Sequence, residues 1–526
     1  MTPSRLRVTD GGERNAPGQA SLPTDSADNL LADLLNRAEL AGVYVIARFQ
    51  HRRSRSLLVV NGKLEEVGTS HAMGGGLSVF TPDGYTAFAS VDGWGRDRAL
   101  AALDSAIVSA RAAERHRFQT SRAVFSAPRL NERAIIQPPY AYDVLALTDL
   151  ESRLLDLNAT VRGWEAAGRL SVRTSWSQSE VSWRIARSDG SDVSWFRPRA
   201  VLAESITAKG DGNATTVGSA LSSASAELLL DPALLDRGLV RARIAADRAL
   251  ALLTAPHFPA GNSDLLIDYA LAKGLAHEAF GHAAEVDGLR ASILGDEQGR
   301  FRRGERLASE SVSIVDEPFE WDHAWQPFSA NGLPRERVTI LNRGILDKAL
   351  ADLFGADAAG VRPTGAGRVE SYRNVPVPRM TNIRIELAEP IPIAKPFEAV
   401  TPEDVQTLLR DQGVLEDGRT VLYLSGYKGG QVNPALGDFV FNCTCLYAIT
   451  AREIGFYQPA IFSGHTLEAL NRIKQAFGPL QLDALGTCGK AGQQVPSSGG
   501  SHYFLLLAPR PERGAARPTP DRLEGL

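Results

Sequence analysis

Apolar residues recur at two different spacings along the chain, and the change from one spacing to the other predicts a mixed fold. Leucines at helical spacing indicate an amphipathic helix over Asn29–Glu39, and an alanine-rich helix is expected from about Arg98 to Arg115. Between these helices, short apolar runs separated by Asn-Gly and Asp-Gly turns predict the strands Tyr44–Phe49, Ser56–Val60, Leu77–Phe80 and Tyr85–Ser90. A helix, several strands and a second helix together indicate an α+β domain.

The next part of the chain continues this pattern and then loses it. A helix over about Asp149–Ala167 precedes a predicted β-meander of Leu170–Trp176, Val181–Ser188 and Val193–Arg197. The segment Gly210–Ser223 is rich in Gly, Ser, Ala and Thr and has no clear periodicity. We therefore place the main domain boundary there and expect an N-terminal α+β domain over 29–222.

The second half opens with a helix that has clear start signals, since Asp231 is a good N-cap and Pro232 suits the first helical position. Further helices are expected over about Tyr269–Val286, from Thr401 to Gly413, and from Thr466 to about Phe477. The predicted strands of this half are Val421–Leu424, Phe439–Phe441, Tyr447–Thr450 and Phe504–Ala508. We predict an α+β fold of two domains, 29–222 and 223–510, each with an antiparallel sheet and packed helices.

Composition narrows the class of protein. Of the 526 residues, 44% are hydrophobic and 22% are charged, which is typical of soluble globular proteins, and a net charge of -4 with no basic patch argues against nucleic acid as a partner. No run approaches the roughly 18 apolar residues that a membrane helix needs. The polar segments 1–28 and 511–526 are expected to be disordered tails, and the first has no apolar core of a signal peptide. Three cysteines form no disulfide framework, so a reducing cytoplasm is expected.

The segment Leu275-Ala276-His277-Glu278-Ala279-Phe280-Gly281-His282 carries candidate metal chemistry. Two histidines four residues apart share one face of an α-helix, but His277 and His282 are five apart, about 140° around a regular helix. Both reach one ion only if the helix is distorted, and Gly281 is a plausible place for a π-bulge or a kink. The alternative is an ordinary helix with one buried and one exposed histidine.

A catalytic zinc site needs a third protein ligand, and the best candidate is Cys488. It lies in a glycine-rich segment that we expect to be an accessible loop, where nearby Lys490 would favour the thiolate. Cys443 and Cys445 lie two apart on a predicted strand, so their side chains should point to the same face. They suit packing in the core as well as they suit metal binding, and we rank them below Cys488. Glu285 is a further carboxylate candidate, although a solvated helix glutamate is the simpler interpretation.

Several segments together resemble the TldD/PmbA family, also called modulator of DNA gyrase or peptidase family U62. The resemblance covers roughly residues 30–505, with the segments in the family's order. Beside the histidine motif, the similar segments are Pro363–Tyr372, Pro378–Asn382, Gly429–Val432, Gly437–Phe441 and Cys488–Gln493 with Val495-Pro496.

The resemblance implies a two-domain α+β metallopeptidase with its catalytic site in the C-terminal domain, 223–510. It implies Zn²⁺ as cofactor, with His277, His282 and Cys488 as ligands and Glu278 as general base. The resemblance also implies that the substrate is a peptide, which enters an enclosed site as an extended strand. It further implies that the protein acts as a dimer, as is common in the family. The TldD-type subunit carries His-Glu-x-x-x-His, as this chain does, whereas its PmbA (TldE)-type partner lacks it, so a homodimer or such a heterodimer is expected.

Three segments depart from the family's pattern, namely Phe319–Trp325, Phe328–Gly332 and Ser497–His502. These departures suit a member that acts on one modified or unusual peptide. Two other functions stay open: a tailoring enzyme that hydrolyses a non-peptide amide, and a non-catalytic partner subunit of a TldD/TldE-like complex. Residues that either face the substrate or hold strands together are Arg368, Glu370, Tyr372, Arg379 and Asn382.

Overall fold

The computed structural model describes residues 24–117, 120–259, 263–416, 418–510 and 516–518. Its α-helices are α1 (Thr24–Leu40), α2 (Arg96–Arg115), α3 (Leu147–Arg162), α4 (Glu227–Leu230), α5 (Pro232–Leu252), α6 (Tyr269–Gly274), α7 (Ala356–Ala359), α8 (Pro402–Asp411) and α9 (Thr466–Asn471). Leu275–Gly281 is a π-helix, and the 3-10 segments are Ala123–Ser126, His282–Ala284, Val286–Ala291 and Phe397–Ala399.

The strands of the first half are β1 (Tyr44–Val60), β2 (Lys63–Phe80), β3 (Thr86–Asp92), β4 (Asn131–Ile135), β5 (Leu170–Arg187), β6 (Asp192–Lys209) and β7 (Ala214–Ser223). The strands of the second half up to residue 425 are β8 (Asp264–Asp268), β9 (Val312–Asp316), β10 (Val338–Asn342), β11 (Ile345–Leu346), β12 (Gly367–Arg368), β13 (Val377–Pro378), β14 (Asn382–Leu387) and β15 (Val421–Ser425). The remaining strands are β16 (Gly430–Asn433), β17 (Asp438–Asn442), β18 (Cys445–Ile449), β19 (Ile454–Tyr457), β20 (Ala460–His465), β21 (Ile473–Gln481), β22 (Gly486–Lys490), β23 (Gln493–Leu507) and β24 (Ala516–Pro518).

The first half builds one sheet of long strands in the order β3-β2-β1-β5-β6-β4, with β7 also paired to β6. The two short strands predicted over 44–60 are one continuous strand, which pairs with β2 from Tyr44 opposite Phe80 to Val60 opposite Lys63. The predicted Asn-Gly turn connects β1 to β2, and both Asn61 and Gly62 have the positive φ that this turn requires. All neighbours in this sheet run antiparallel except β4 and β6.

The second half is built around β23, which forms the centre of a larger sheet in the order β11-β10-β9-β14-β23-β8-β15-β18-β19. Strands β21 and β22 also pair with β23, at different parts of its length. A smaller sheet, β16-β17-β20-β24, and the pair β12-β13 complete the described strands. Helices and mainly antiparallel sheets in both halves confirm the predicted α+β class.

Side chains of β1 alternate between two cores because successive residues of a strand face opposite sides of the sheet. Val45, Ala47 and Phe49 are buried against α1 and α2. Ile46, on the other face, belongs to the core that also contains Leu265 and Ile267 of β8. One apolar core therefore joins the first sheet to the second half of the chain, and the boundary between 222 and 223 stays a prediction.

Three local predictions differ from the structure. The segment Gly210–Ser223, expected to be an irregular linker, contains β7, whose register with β6 runs from Ala200 opposite Ser223 to Lys209 opposite Ala214. The helix expected from Thr466 to Phe477 ends at Asn471, because Ile473–Gln481 pairs with β23 instead. Helix α1 begins at Thr24, within the segment expected to be a tail. In each case, pairing or packing with distant residues outweighs local propensity.

Most of both predicted tails lies outside the described residues. The part of the C-terminal segment that the structure does describe is β24, which pairs antiparallel with β20. No helix in the described parts of the chain is both long and apolar enough to cross a membrane.

Candidate metal centre

The helix that carries both histidines is distorted, as their five-residue spacing predicts. Asp268 caps α6 by accepting from the Leu271 N–H, and after Gly274 the chain widens into the π-helix Leu275–Gly281. The backbone N–H of His282 donates to the carbonyl oxygen of His277, five residues earlier. A π-turn brings residues five apart onto one face, so the distortion removes the angular mismatch that a regular α-helix would impose.

Close packing requires glycine at the end of this π-helix. A Cβ atom at Gly281 would overlap the Sδ atom of Met380 and come within 2.8 Å of Ile383 Cδ1. Both of these side chains are fully buried, so they have little room to move. Gly281 therefore allows the histidine helix to lie directly against Ile383 of β14 and against Met380, two residues before that strand.

The structure brings His277, His282 and Cys488 together, although the cysteine lies about two hundred residues away in sequence. One ligand atom of each residue lies within 4.8 Å of the others. His282 Nε2 is 3.5 Å from Cys488 Sγ, and the two imidazole rings are perpendicular with centroids 5.1 Å apart. Ligand atoms on a tetrahedral zinc are separated by about 3.4–3.6 Å, so the cluster is compact enough for one ion.

The surroundings of His277 also fit a metal ligand. Its side chain is buried, and its Nδ1 atom has no hydrogen-bond partner among the described residues. Burial lowers the pKa of His277 well below its ordinary value, and the positive charges of Lys273 and His282 act in the same direction. A neutral imidazole with an unsatisfied buried nitrogen is costly by itself, and coordination of a metal would remove that cost.

His282 is held from behind by a buried carboxylate. Its Nδ1 atom donates to Glu285 Oε2 at 2.9 Å, and Lys490 Nζ donates to the same oxygen at 2.7 Å. Lys490 also pairs with Asp287 at 2.6 Å. Burial lowers the pKa of His282, but Glu285 and Cys488 outweigh it and raise that pKa to about 10.

The interpretation of Glu285 as a solvated helix residue was wrong, because its side chain is 2% exposed. It orients His282 through the ring nitrogen on the far side from Cys488, which is the usual arrangement behind a metal-bound histidine.

Cys488 lies on β22, and it is buried rather than on an accessible loop. The cation beside its sulfur is Arg379, whose Nε atom is 3.3 Å from Sγ, and not Lys490, which pairs with carboxylates instead. Arg379 also donates to the carbonyl oxygen of Cys488. Burial raises the pKa of Cys488, but His282 and Arg379 together lower it below the ordinary value for a thiol. The thiolate is the form that binds metal.

Glu278 follows the first ligand in the chain, and its side chain lies close to the second ligand. Its side chain is 29% exposed, and its Oε2 atom is 3.8 Å from His282 Nε2. A partly exposed carboxylate near the ligand atoms can accept a proton from a water at the same place.

Comparison with known proteins shows the family of the chain. Three family models match the chain: PmbA/TldA metallopeptidase domain 1 over residues 45–113, the central domain over 138–253, and the C-terminal domain over 260–498. The chain belongs to the PmbA/TldD family of metallopeptidases. The third of these matches contains all three candidate ligands and Glu278.

Similar sequences carry names of the same kind. A metalloprotease of Methanothermobacter thermautotrophicus is 28% identical over 93% of this chain and 98% of its own length. A zinc metalloprotease TldD homolog of Saccharolobus solfataricus is 29% identical over 43% of this chain and 46% of its own. The crystal structure of TldE from Thermococcus kodakarensis shares the fold, with a TM-score of 0.70 at 14% identity over 91% of this chain and 99% of that one.

The five residues expected either to face the substrate or to hold strands together fall into three groups. Arg368 and Glu370 line a cavity of about 460 Å³ that also contacts Thr487, the neighbour of Cys488. Tyr372 packs on the first sheet and donates to Asp92 at 2.6 Å. Asn382 is buried and donates to the Leu482 carbonyl. Tyr372 and Asn382 therefore hold segments together, while Arg379 contacts the cysteine ligand.

Sequence patterns did not single out the other polar residues of the cavity. They are Gln50, Arg52, Ser177, Arg197, Arg199, His323, Gln326 and Gln494. The one available signal was the spacing of Arg197 and Arg199, which places two arginines on one face of a strand otherwise rich in buried residues. His323 comes from Phe319–Trp325, one of the segments that departs from the family's pattern.

The remaining candidate residues contribute to packing. Cys443 lies between β17 and β18, where its Sγ atom is 3.2 Å from the Ala460 backbone. Cys445 begins β18 and belongs to a different core, so the two cysteines do not share the face expected of them. His502 is buried, bonded through Nδ1 to the Gly478 carbonyl and through Nε2 to the Leu387 N–H.

Proposed function

We propose that this chain is a zinc-dependent metallopeptidase that hydrolyses bonds in small, extended or modified peptides. The observation that carries the proposal is the convergence of His277, His282 and Cys488, with a carboxylate oxygen of Glu278 3.8 Å from His282 Nε2. Two histidines and a cysteine are a known set of catalytic zinc ligands that leaves a fourth position for water or substrate. The relatives named metalloproteases support the same class.

The metal ion and the side chains of the protein would have different roles in the reaction. A zinc ion bound there would supply Lewis acidity, which polarises the scissile carbonyl and lowers the pKa of water. Glu278 accepts the proton of the attacking water and then delivers it to the leaving amine. Glu285 holds His282 in the tautomer that leaves Nε2 free, and Arg379 stabilises the Cys488 thiolate. A thiolate donates more electron density than a carboxylate, so this zinc is a weaker Lewis acid than one with a glutamate ligand.

We infer that the peptide binds as an added strand, because backbone pairing gives affinity with little sequence preference. The fold shared with TldE of Thermococcus kodakarensis supports assembly with a TldE-like partner, or as a homodimer, and the chain's motif assigns it the catalytic role in such a pair. We place the enzyme in the cytoplasm, where its thiolate ligand stays reduced.

The test is hydrolysis of a mixture of peptides by the zinc-loaded protein and by Glu278→Gln. We expect the substitution to reduce hydrolysis by at least about 100-fold, the scale of general-base catalysis, without loss of bound zinc. The matched control is Glu297→Gln, which changes an exposed glutamate outside the site and should have no effect.

Two results would contradict the proposal. If Glu278→Gln cleaves peptides as fast as the wild type, the assigned base is wrong. If the zinc-loaded wild type cleaves modified non-peptide amides but no peptide, the chain is the tailoring amidohydrolase instead. A zinc-loaded protein that cleaves neither, alone or with a TldE-like subunit, would be a non-catalytic partner.

A further inference from the structure

The cavity beside the metal centre is lined by more positive than negative charge. On one side are residues of the first sheet, including Arg52 of β1 and Arg197 and Arg199 of β6. On the other side are Arg368 and the β22-β23 hairpin. Strand alternation explains the first group, since these side chains lie on the face of the sheet opposite α1 and α2. Four guanidinium groups therefore converge on a space of about 460 Å³.

Within the described part of the chain, no carboxylate lies within 4.0 Å of these four guanidinium groups. Glu370 is the one carboxylate on the cavity wall, and it is exposed and accepts from the Gln494 N–H at 2.9 Å. The negative charge of Asp322 acts to raise the pKa of Arg197, but the Asp322 carboxylate already accepts hydrogen bonds from Ser498 Oγ and the Ala324 N–H. Nearby acidic groups are thus already occupied, and the arginines keep an excess of positive charge.

Several donors on the cavity wall are also unsatisfied. Arg52 Nε, Arg199 Nη1 and His323 Nδ1 are buried atoms without a hydrogen-bond partner among the described residues. Arg368 differs, because it donates to Gln326 and to the carbonyls of Met380 and Pro496. The donors available to a ligand therefore come mainly from the first sheet, while Arg368 contributes charge from a fixed position.

Electrostatics inside the cavity point the same way. Burial lowers the pKa of Arg197 to about 9 and that of Arg199 to about 10, and neighbouring guanidinium groups add to both effects. Like charges held together in a partly desolvated space repel one another, and an anion placed among them would reverse that repulsion.

We propose that the cavity binds a carboxylate group of the peptide substrate, through Arg52, Arg197 and Arg199. The inference rests on the proposed function, because it assigns substrate selectivity to the same site. Arginine is suited to this role since its planar group pairs with both oxygens of a carboxylate. The carboxylate is either the C-terminus of the peptide or an aspartate or glutamate side chain, and the volume accommodates a group of that size.

The position of the cavity relates this group to the bond that is cleaved. Thr487 lines the cavity and precedes Cys488 in the chain, so their Cα atoms are about 3.8 Å apart. Arg368 Nη1 donates at 2.8 Å to the carbonyl oxygen of Pro496, the residue of β23 that lies opposite Thr487. The strand that supplies the cysteine ligand therefore also forms part of the cavity wall, so a substrate that extends from the cavity along β22 approaches the metal centre.

The test measures binding separately from hydrolysis. Zinc-loaded Glu278→Gln protein is titrated into dansyl-labelled hexapeptide mixtures that contain no acidic residue. One mixture has free C-terminal carboxylates and the other has C-terminal amides. Fluorescence anisotropy of the dansyl group measures binding. Six further amide mixtures each carry a glutamate at one position. We expect tighter binding, by about 10-fold or more, of the free acids or of at least one glutamate mixture over the plain amides.

Variants identify the arginines as the cause. Arg199→Met and Arg197→Met, each added to Glu278→Gln, should reduce that preference to less than about 3-fold, whereas Arg133→Met, an exposed arginine of the same sheet, should leave it intact. Thermal unfolding without peptide checks that each variant folds, and removal of one like charge should not lower the melting temperature.

The results separate this inference from the proposed function. Equal binding of acids, amides and all glutamate mixtures would overturn it even if the wild type cleaves peptides. A preference that survives both Arg197→Met and Arg199→Met would also overturn it, since the carboxylate would then bind elsewhere. A preference lost in these variants supports it, even if the wild type proves unable to hydrolyse the same peptides.

Discussion

His282 Nδ1 lies 2.9 Å from Glu285 Oε2, and this contact fixes which nitrogen of His282 faces Cys488. The carboxylate is itself fixed by Lys490 at 2.7 Å. Two residues on distant segments, Glu285 and Lys490, therefore orient one imidazole. Such a partner is nearly as important to metal affinity as the ligand that it orients.

We expect Glu285→Gln to weaken zinc binding by about 10- to 100-fold, because the amide removes the negative charge that favours a bound cation behind His282. Competition with a fluorescent zinc chelator measures the affinity. Asp287→Asn is the matched control, since it removes the other carboxylate bonded to Lys490 but does not touch His282. Equal losses in the two variants would show that Lys490, not the contact with His282, is responsible.

Cys488→Ser should reduce zinc content to well below one ion per chain in protein dialysed against a weak chelator. A serine hydroxyl stays protonated at neutral pH and is a poor zinc ligand, whereas the thiolate is a strong one. Metal analysis of the purified protein measures the change. Cys443→Ser serves as control, because that cysteine is also buried but its sulfur lies 3.2 Å from the Ala460 backbone and is not one of the clustered ligand atoms. Stoichiometric zinc in Cys488→Ser would exclude the cysteine as third ligand.

Gly281→Ala should lower both stability and zinc affinity, since the added methyl group would overlap Met380 and displace the π-helix. Overpacking of this kind costs about 1–3 kcal/mol. Urea unfolding and zinc titration measure the two effects. Gly288→Ala is the control, because a Cβ atom there meets nothing within 4 Å.

The double variant Gly281→Ala with Met380→Ala separates the two effects. It should recover zinc affinity even though the Met380 side chain is lost from the core, because the space needed by the new methyl group is restored. If the double variant binds zinc no better than Gly281→Ala, steric overlap is not the reason that glycine is needed.

Glu204 makes stability depend on pH. Burial raises its pKa from the ordinary 4.5 to about 7, while the Thr174 hydroxyl, 2.8 Å away, acts in the opposite direction. The folded carboxyl binds its proton more tightly than the unfolded one, so this contribution to stability is present below pH 4.5 and is lost as the pH rises through about 7.

Glu204→Gln should therefore be more stable than the wild type at pH 8, by about 3 kcal/mol, and close to it at pH 4.5. Urea unfolding across this range measures the difference. A decline above pH 5 remains in the variant because burial also raises the pKa of Asp352 to about 7. The exposed Glu65→Gln should follow the wild-type curve, and an identical curve for Glu204→Gln would contradict the prediction.

Local sequence was enough for many elements of the fold. The Asp231 cap and Pro232 predicted the start of α5, Thr401 predicted that of α8, and Asn61-Gly62 predicted the turn between β1 and β2. These signals depend on hydrogen bonds and dihedral angles within a few residues, so they can be recognised without the rest of the chain. The five-residue spacing of His277 and His282 likewise required a distorted helix, which the structure contains as a π-helix.

Only the tertiary structure decided which distant groups meet. Pairing with β6 makes a strand of 214–223, and pairing with β23 ends the helix that begins at Thr466. The pairing of β22 with β23 buries Cys488 beside Arg379 and leaves Lys490 to bond with Glu285. The arginines of β1 and β6 face a cavity that is also lined by Thr487 of β22, and this contact between distant segments cannot be recognised from any short stretch of sequence. The sequence by itself determined which metal-binding and charged side chains this protein has. Long-range packing determined which charged groups lie next to the metal-binding ones.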